Sequence, residues 1–183
     1  MPEQLRRVRV LGTTGSGKTT FARRLASVLA VPHLELDEVF WDADWTKRDP
    51  DEARALIATF ESASDGGWVV DGNWSAGTEG LLTDADAFVC LDYPRRTVMA
   101  RVTRRTLRRG VLRTRLWHGN RENLRNVLKV DPDQNVVLWS WTSHARNRTR
   151  YATLAAESLT PVIRLRSPRE ATRWLDAVVP GLR

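Results

Sequence analysis

The sequence predicts one α/β domain in which a parallel β-sheet carries helices on both faces. Short apolar runs with the length of single strands recur along the chain, and helical patterns with apolar residues three or four positions apart separate them. The first run is joined to the first helix by a glycine-rich turn. Because 183 residues are enough for one buried core, we expect a single domain over residues 1–183.

The composition argues against a disulfide-bonded or membrane-spanning protein. Cys90 is the one cysteine, and it lies in an apolar run, so we expect a buried strand residue rather than a catalytic thiol. No stretch has the pattern of a signal peptide, and no apolar run reaches the length of a membrane span. We therefore expect a cytoplasmic protein without a membrane partner.

The glycine-rich turn matches the phosphate-loop pattern G-x-x-x-x-G-K-[ST] at residues 12–19 without a mismatch. A strand at residues 8–11 precedes it, and a helix to about residue 30 follows it, which is the context that this motif requires. The pattern predicts a three-layer α/β/α P-loop NTPase. The alternative is a strand-to-helix turn that binds nothing.

The residue types of the loop suit a nucleoside triphosphate. Glycines allow a backbone that aims successive N–H groups at phosphate oxygens, and the helix after the loop adds the positive end of its dipole. We expect Lys18 to contact the β- and γ-phosphates of ATP and the Thr19 hydroxyl to bind Mg²⁺. The predicted phosphate-binding set is Gly12, Thr13, Thr14, Gly15, Ser16, Gly17, Lys18, Thr19 and Thr20.

A second strand is predicted at residues 33–37, and it ends at Asp37. Ligands gather at the carboxyl ends of parallel strands, so Asp37 should face the same crevice as the loop and could take a proton from an acceptor hydroxyl. Phe40, Trp41 and Trp45 follow in an irregular stretch and either form walls for a planar acceptor or seal the core. Asp49 and Pro50 then mark the start of a helix to about residue 64.

The third predicted strand, residues 68–71, also ends in a carboxylate, Asp71. Beside a phosphate loop, such a residue can orient Mg²⁺ and its waters, although an Asp at a strand end can also cap the next turn. Asn73 and Trp74 follow where an acceptor would sit. A fourth strand is predicted at residues 87–91.

The net charge of +7 hides an uneven distribution. Residues 31–92 contain fifteen acidic and three basic side chains, whereas residues 93–150 contain fifteen basic and three acidic ones. Most of the basic side chains are arginines, whose planar guanidinium groups match phosphate oxygens. The bias fits a lid that closes on a polyphosphate, a nucleic-acid surface, or a solvated helix face.

The basic half begins with a helix in which Arg101 and Arg105, four residues apart, lie on one face. The pattern breaks at Gly110, and residues 111–120 show no clear periodicity, which favours a mobile lid carrying Arg113 and His118. His118 is either a proton shuttle or a surface histidine.

The rest of the chain completes the alternation of helices and strands. We expect a short helix over residues 121–129, a long helix over 136–159, a fifth strand at 162–165 and a final helix over 169–179. One or two arginines of the long helix, Arg146 first among them, are predicted to reach back to the phosphates.

A combined pattern of motifs extends over nearly the whole chain. It comprises the loop at 12–19, Leu36-Asp37 followed by Trp41, Trp68-Val69-Val70-Asp71-Gly72-Asn73-Trp74, Leu91-Asp92-Tyr93-Pro94-Arg95 with Arg101, Arg104 and Arg105, and Trp139 with Trp141. This pattern resembles the adenylate-kinase-related P-loop proteins, in the branch often labelled DNA topology modulation proteins.

The resemblance implies a nucleotide-kinase-like fold with strand order 2-3-1-4-5, an acceptor-binding insertion at about 38–66 and a lid at about 108–135. It also implies that Asp37 meets the acceptor, that Asp71 lies on the magnesium side and that Arg101 and Arg105 enter the lid. Residues 166–170 would border the adenine. The adenylate-kinase signatures D-G-[FY]-P-R and T-G-D-[ML] are missing, and so are lid cysteines for zinc, so AMP is not implied as the acceptor.

Two functions follow from these observations. The first is an ATP- and Mg²⁺-dependent phosphotransferase acting on a small acceptor, with Lys18, Asp37, Arg101 and Arg105 as catalytic residues, Thr19 and Asp71 on the metal, and Arg105, Arg113 and Arg146 on the phosphates. The second is a nucleotide-dependent nucleic-acid-binding regulator with weak or no kinase activity. The sequence contains no recognition-helix signature for the second.

Overall fold

The computed structural model describes residues 5–122 and 124–178 and contains a five-stranded parallel sheet. The strand order is β2-β3-β1-β4-β5, which confirms the expected order. The strands are β1 (Arg7–Gly12), β2 (His33–Glu35), β3 (Trp68–Asp71), β4 (Ala87–Leu91) and β5 (Val162–Leu165).

Six α-helices connect these strands in the part of the chain that the structure describes. They are α1 (Lys18–Leu29), α2 (Leu36–Phe40), α3 (Pro50–Ser62), α4 (Arg95–Val111), α5 (Val136–Glu157) and α6 (Pro168–Val178). None of them is both long and apolar enough to cross a bilayer. Asp49 caps α3 by accepting hydrogen bonds from the N–H groups of Asp51 and Glu52, as its position before Pro50 predicts.

Both faces of the sheet are buried because alternate strand residues point to opposite sides. On one side, Val8, Val10 and Val69 pack with residues of α1 and α6. On the other side, Trp68 and Val70 pack with α2 and α3. Leu11, Cys90 and Tyr151 form a third cluster, which joins β1 and β4 to α5. This alternation produces the predicted three layers, and Cys90 is a buried strand residue, as expected.

The second strand differs from its prediction. Strand β2 ends at Glu35, and Asp37 lies in the first turn of α2. The assignment of Asp37 to a strand end was wrong because Leu36, Val39 and Phe40 are spaced to bury one helical face, and they do so. Asp37 and Glu38 also lie in the first turn of α2, where the helix dipole favours negative charge.

The helices of the predicted lid differ from the prediction in two places. Helix α4 continues through Gly110 to Val111, so Gly110 does not end it. The predicted helix over residues 121–129 is instead a 3₁₀ segment, Leu124–Leu128, within the described residues. The segment is too short for a stable α-helix, and Pro132 prevents its extension.

The remaining boundaries agree closely with the sequence. Helix α5 ends at Glu157, two residues before the predicted end, and α6 is described to Val178. The predicted last residue of that helix, Val179, lies outside the described residues, as do the first four residues of the chain.

Candidate active site

The phosphate loop lies between β1 and α1, where two glycines have left-handed backbone conformations. Gly15 has a φ of 93° and Gly17 a φ of 91°, a region that side chains with a Cβ rarely adopt. Gly17 is the N-cap of α1, and no side chain caps this helix. The N–H groups of the first turn are therefore left for a bound anion.

Helix α5 supports the loop from behind. The buried Ser140 donates through its Oγ to the carbonyl of Thr14 at 2.7 Å, and the buried Asn147 donates through Nδ2 to Thr13 Oγ1 at 3.1 Å. Sequence reasoning missed these contacts. The signal was a polar stripe with helical spacing, formed by Ser140, Ser143, His144, Asn147 and Tyr151, all of which are buried.

Asn73 connects the end of β3 to the start of the loop. Its Nδ2 donates to the carbonyl of Gly12 at 2.9 Å, and its Oδ1 accepts from the Gly12 N–H at 3.3 Å. Asn73 therefore braces the start of the loop, a role that the sequence did not suggest.

The metal side of the candidate site is built around Thr19. Its Oγ1 lies 2.9 Å from Asp71 Oδ2 and 2.9 Å from Glu35 Oε1, and both carboxylates are buried. Hydroxyl and carboxylate oxygens are the ligands that Mg²⁺ prefers, so this donor set fits Mg²⁺. Among the described residues, no group of three or more His, Cys, Asp or Glu side chains is arranged to hold a metal ion.

Glu35 is a member of this group that the sequence did not reveal. Burial and the nearby Asp71 raise its pKa, and hydrogen bonds from Thr19 and Trp117 partly offset that effect. The Arg23 guanidinium also lies 3.2 Å from its Oε2. Two carboxylates that share a buried site repel each other, and a dication between them would relieve this repulsion.

Lys18 and Asp37 face each other across the front of the loop. The distance from Lys18 Nζ to Asp37 Oδ2 is 3.6 Å. The other oxygen, Oδ1, accepts a 2.7 Å hydrogen bond from the indole N–H of Trp74. The Trp74 ring is itself stacked on Phe40, with 4.4 Å between the ring centroids. Asp37 is therefore held in one orientation beside the lysine of the loop.

The first two predicted arginines approach this group from α4. Arg101 donates to the carbonyl of Ser16 at 2.9 Å. Arg105 is half-buried, and within the described residues its Nε has no hydrogen-bond partner. Burial and the neighbouring Arg109 lower the pKa of Arg105, while Glu122, Asp37 and Glu35 act in the opposite direction.

The other two predicted arginines lie on exposed surface. Arg113 follows the end of α4 and has a positive φ of 47°. The Arg146 guanidinium lies 5.5 Å from the ring centroid of Trp139. The structure thus gathers Lys18, Thr19, Asp37, Asp71, Arg101 and Arg105 around the loop, whereas the contacts of Arg146 are with an exposed ring.

The lid lies directly on the segment that follows α2. Asn120, which is buried, donates to the carbonyl of Asp42 at 2.7 Å and accepts from the Trp45 N–H at 3.1 Å. His118 Nε2 lies 3.1 Å from the carbonyl oxygen of Glu38, so this exposed histidine makes a backbone contact. Trp117 donates to Glu35 Oε2 at 3.3 Å. The lid therefore contacts both the candidate acceptor segment and the metal side.

A cavity of about 300 Å³ opens on the other side of the loop. It is lined by Ser16, Gly17, Thr20, Phe21, Arg24, Tyr93, Arg101, Pro168, Ala171, Thr172 and Leu175. Pro168 belongs to the segment that the resemblance placed beside the adenine. The cavity thus joins the loop to the start of α6.

Comparisons with known proteins support the fold. No protein-family model and no curated protein sequence matches the chain. Among solved structures, a shikimate kinase from Acinetobacter baumannii in complex with shikimate is 17% identical with a TM-score of 0.55, and a gluconokinase from Sinorhizobium meliloti 1021 is 18% identical with a TM-score of 0.49. Each match covers 98% of this chain and 96% of the other. The likeness to the shikimate kinase supports the fold alone, and the branch labelled DNA topology modulation is not confirmed.

Proposed function

We propose that this protein is an ATP- and Mg²⁺-dependent phosphotransferase that moves the γ-phosphoryl group of ATP to a small acceptor. The observation that carries the proposal is the pairing of the phosphate loop with two sets of carboxylates. Thr19 contacts Glu35 and Asp71, and Lys18 lies 3.6 Å from Asp37. We assign the first group to the metal and Asp37 to the acceptor, with the phosphates bound by the loop.

The donor half of the reaction rests on backbone groups and one lysine. Backbone N–H groups of the loop and of the first turn of α1 would hold the phosphates, and Lys18 would neutralise charge on the β- and γ-phosphates. Thr19 and Asp71, with Glu35, would hold Mg²⁺, which would supply positive charge that offsets the charge of the phosphates. The cavity beside Pro168 would receive the base of the nucleotide.

The acceptor half rests on Asp37 and the aromatic side chains around it. Asp37 would accept the proton of an acceptor hydroxyl as that oxygen forms its bond to the γ-phosphorus and the bond from this phosphorus to ADP breaks. Trp41, Trp74 and Trp117 are partly exposed near this carboxylate and would pack against a flat or ring-shaped acceptor. We assign residues 38–66 to the acceptor-binding insertion and 108–135 to the lid of one domain.

The arginines would offset negative charge on the nucleotide and on the transferred phosphoryl group. Arg105 lies within the electrostatic reach of Asp37 and Glu35, so it is the arginine best placed to offset charge that develops during transfer. Arg101 braces the loop at Ser16 and would border the nucleotide. Arg113 and Arg146 would contact phosphates only after their side chains reorient.

A coupled assay of ADP release tests the proposal. The panel contains nucleosides, nucleoside monophosphates and small hydroxylated metabolites, and at least one of them should raise ADP release above the rate with ATP alone. Lys18→Met should lose at least about a thousandfold in turnover, because phosphoryl transfer depends on charge neutralisation. Arg173→Met, which removes an exposed cation of α6, is the matched control and should keep full turnover. Undiminished turnover by Lys18→Met would refute the assignment.

A second candidate function is suggested by the outer surface of α5. Trp139 and Trp141 are 40% and 50% exposed, and the guanidinium groups of Arg146 and Arg95 lie over their rings. Exposed aromatic rings with arginines are typical of surfaces that bind single-stranded nucleic acid. Salt-dependent binding of oligonucleotides that is lost in Trp139→Ala and Trp141→Ala would support this function, and no binding at low salt would exclude it.

A further inference from the structure

His33 occupies a position next to the candidate metal site that the proposed reaction does not use. It is the first residue of β2, the edge strand, and pairs in register with Val69 of β3. Two residues later, Glu35 pairs with Asp71. Side chains two residues apart on a strand point to the same face of the sheet. The side chains of His33, Glu35 and Asp71 therefore lie on one face.

The contact between His33 and Asp71 is short and shielded. His33 Nε2 lies 2.7 Å from Asp71 Oδ1, the Asp71 side chain is fully buried, and the His33 side chain is 14% exposed. An ionised carboxylate only accepts hydrogen bonds. We therefore assign the hydrogen to Nε2 of His33, which donates the hydrogen bond to Asp71.

This bond divides the two oxygens of Asp71 between two partners. His33 binds Oδ1, and Thr19 Oγ1 lies 2.9 Å from Oδ2. Without the histidine, the carboxylate could turn about its Cβ–Cγ bond, so that neither oxygen would be directed at Thr19. With Oδ1 held by His33, Oδ2 is directed at the hydroxyl that the phosphate loop provides.

We propose that His33 is a positioning residue that fixes the Asp71 carboxylate for Mg²⁺ binding at Thr19. The inference rests on the proposed function, because it assumes that Thr19 and Asp71 bind the metal. Residues that hydrogen-bond to metal ligands orient them, and their loss typically weakens metal binding by about 10- to 100-fold. His33 acts through Asp71 and is not itself a catalytic residue.

The test measures how much Mg²⁺ strengthens ADP binding, without measuring turnover. Isothermal titration gives the dissociation constant of ADP with Mg²⁺ and with EDTA, and the ratio of the two constants is the magnesium effect. His33→Met and His33→Gln have similar shape, but only the glutamine keeps an N–H donor with the reach of Nε2. We expect His33→Met to reduce the magnesium effect by about tenfold or more and His33→Gln to restore most of it.

A role in folding alone predicts a different result. His33→Met would then lower the melting temperature while the magnesium effect stayed at the wild-type value, or His33→Gln would lose as much of the effect as His33→Met. Either result would overturn the inference. If His33→Met does not fold, His33→Thr replaces it, because the short threonine side chain does not reach Asp71.

Asp71→Asn separates this inference from the function on which it rests. If His33 acts through Asp71, adding His33→Met to Asp71→Asn should cause little further loss of the magnesium effect. Additive losses would overturn the inference. If the wild-type protein binds no ADP, or if Asp71→Asn keeps the full magnesium effect, the proposed function fails at its donor or metal side, whatever His33 does.

Discussion

The donor side and the acceptor side of the candidate site are built in different ways. On the donor side, residues 12–20 form one continuous stretch, and the uncapped start of α1 points its N–H groups at the phosphate position. On the proposed acceptor side, Asp37 and Trp74 come from distant segments and meet through a side-chain hydrogen bond, and Trp117 donates to the nearby Glu35 from a third segment. The phosphate-binding part of the proposed donor side is formed by one continuous stretch of backbone. The proposed acceptor side is formed by side chains that tertiary packing brings together.

This difference determines what a single substitution should do. A backbone N–H group cannot be removed by changing a side chain, so nucleotide binding should survive most changes on the acceptor side. One oxygen of Asp37 is held by a single indole N–H, so a change of a few atoms there should affect transfer to the acceptor. Variants that separate ADP affinity from turnover therefore test the contrast directly.

The largest effect should come from Asp37→Asn. The amide keeps the shape of the carboxylate but cannot take the acceptor proton, so turnover should fall by about 10²- to 10⁴-fold. ADP affinity, measured by titration calorimetry, should be retained. Asp176→Asn, at an exposed position of α6, is the control and should behave as the wild type. Equal losses of ADP affinity and turnover would place Asp37 on the donor side.

A smaller effect is expected from Trp74→Phe. The phenyl ring can still stack on Phe40, but the hydrogen bond to Asp37 Oδ1 is lost, and turnover should fall about tenfold. Trp174→Phe is the matched control, because Trp174 packs its ring against Phe21 on the opposite side of the sheet. An unchanged rate in Trp74→Phe, with steady-state kinetics at saturating ATP, would show that Asp37 needs no orienting partner.

On the donor side, Ser140→Ala tests how the loop is supported. Loss of the hydrogen bond to the Thr14 carbonyl should lower the free energy of unfolding by about 1 kcal/mol. The melting temperature should fall by about 2–4 °C for a chain of this length. Thr142→Ala, on the exposed side of the same helix, should change it by less than about 1 °C. Equal shifts in the two variants would show that Ser140 gives the loop no particular support.

The smallest effect concerns Glu35 and pH. Because its pKa is raised in the folded protein, the folded state holds this proton more tightly than the unfolded state does. The free energy of unfolding should therefore decrease as pH rises from the ordinary value of 4.5 through the raised value. Urea unfolding between pH 4 and 8 should show a shallower decrease in Glu35→Gln than in the wild type and in the exposed control Glu157→Gln. Identical slopes in all three proteins would contradict the raised pKa.

The contrast between the two sides also explains which parts of the site could be predicted. The phosphate loop was recognised because its residues are consecutive and its geometry follows from glycine conformations and the start of a helix. Asp71 was found because it ends an apolar strand. The strand order and the arginine pair on α4 required the resemblance as well as the local pattern.

Several contacts of the site are not indicated by any local sequence pattern. Glu35 appeared to be a polar position within a short strand, yet it lies between Thr19 and Trp117. Asp37 was assigned to a strand end because a run of only three or four residues does not distinguish a strand from a helical turn. The support from Ser140 and Asn147 joins residues more than 120 positions apart in the chain, a relation that no local pattern contains.

Local physical chemistry was enough to predict the layers, most helix and strand positions and the glycine-rich loop between β1 and α1, because glycine conformation, helix dipoles and apolar periodicity act over a few neighbouring residues. Tertiary structure decided the orientation of Asp37, the pairing of Asp71 with His33 and the docking of Asn120 on the acceptor segment. Those contacts join residues that only the folded sheet and its helices bring within hydrogen-bond distance.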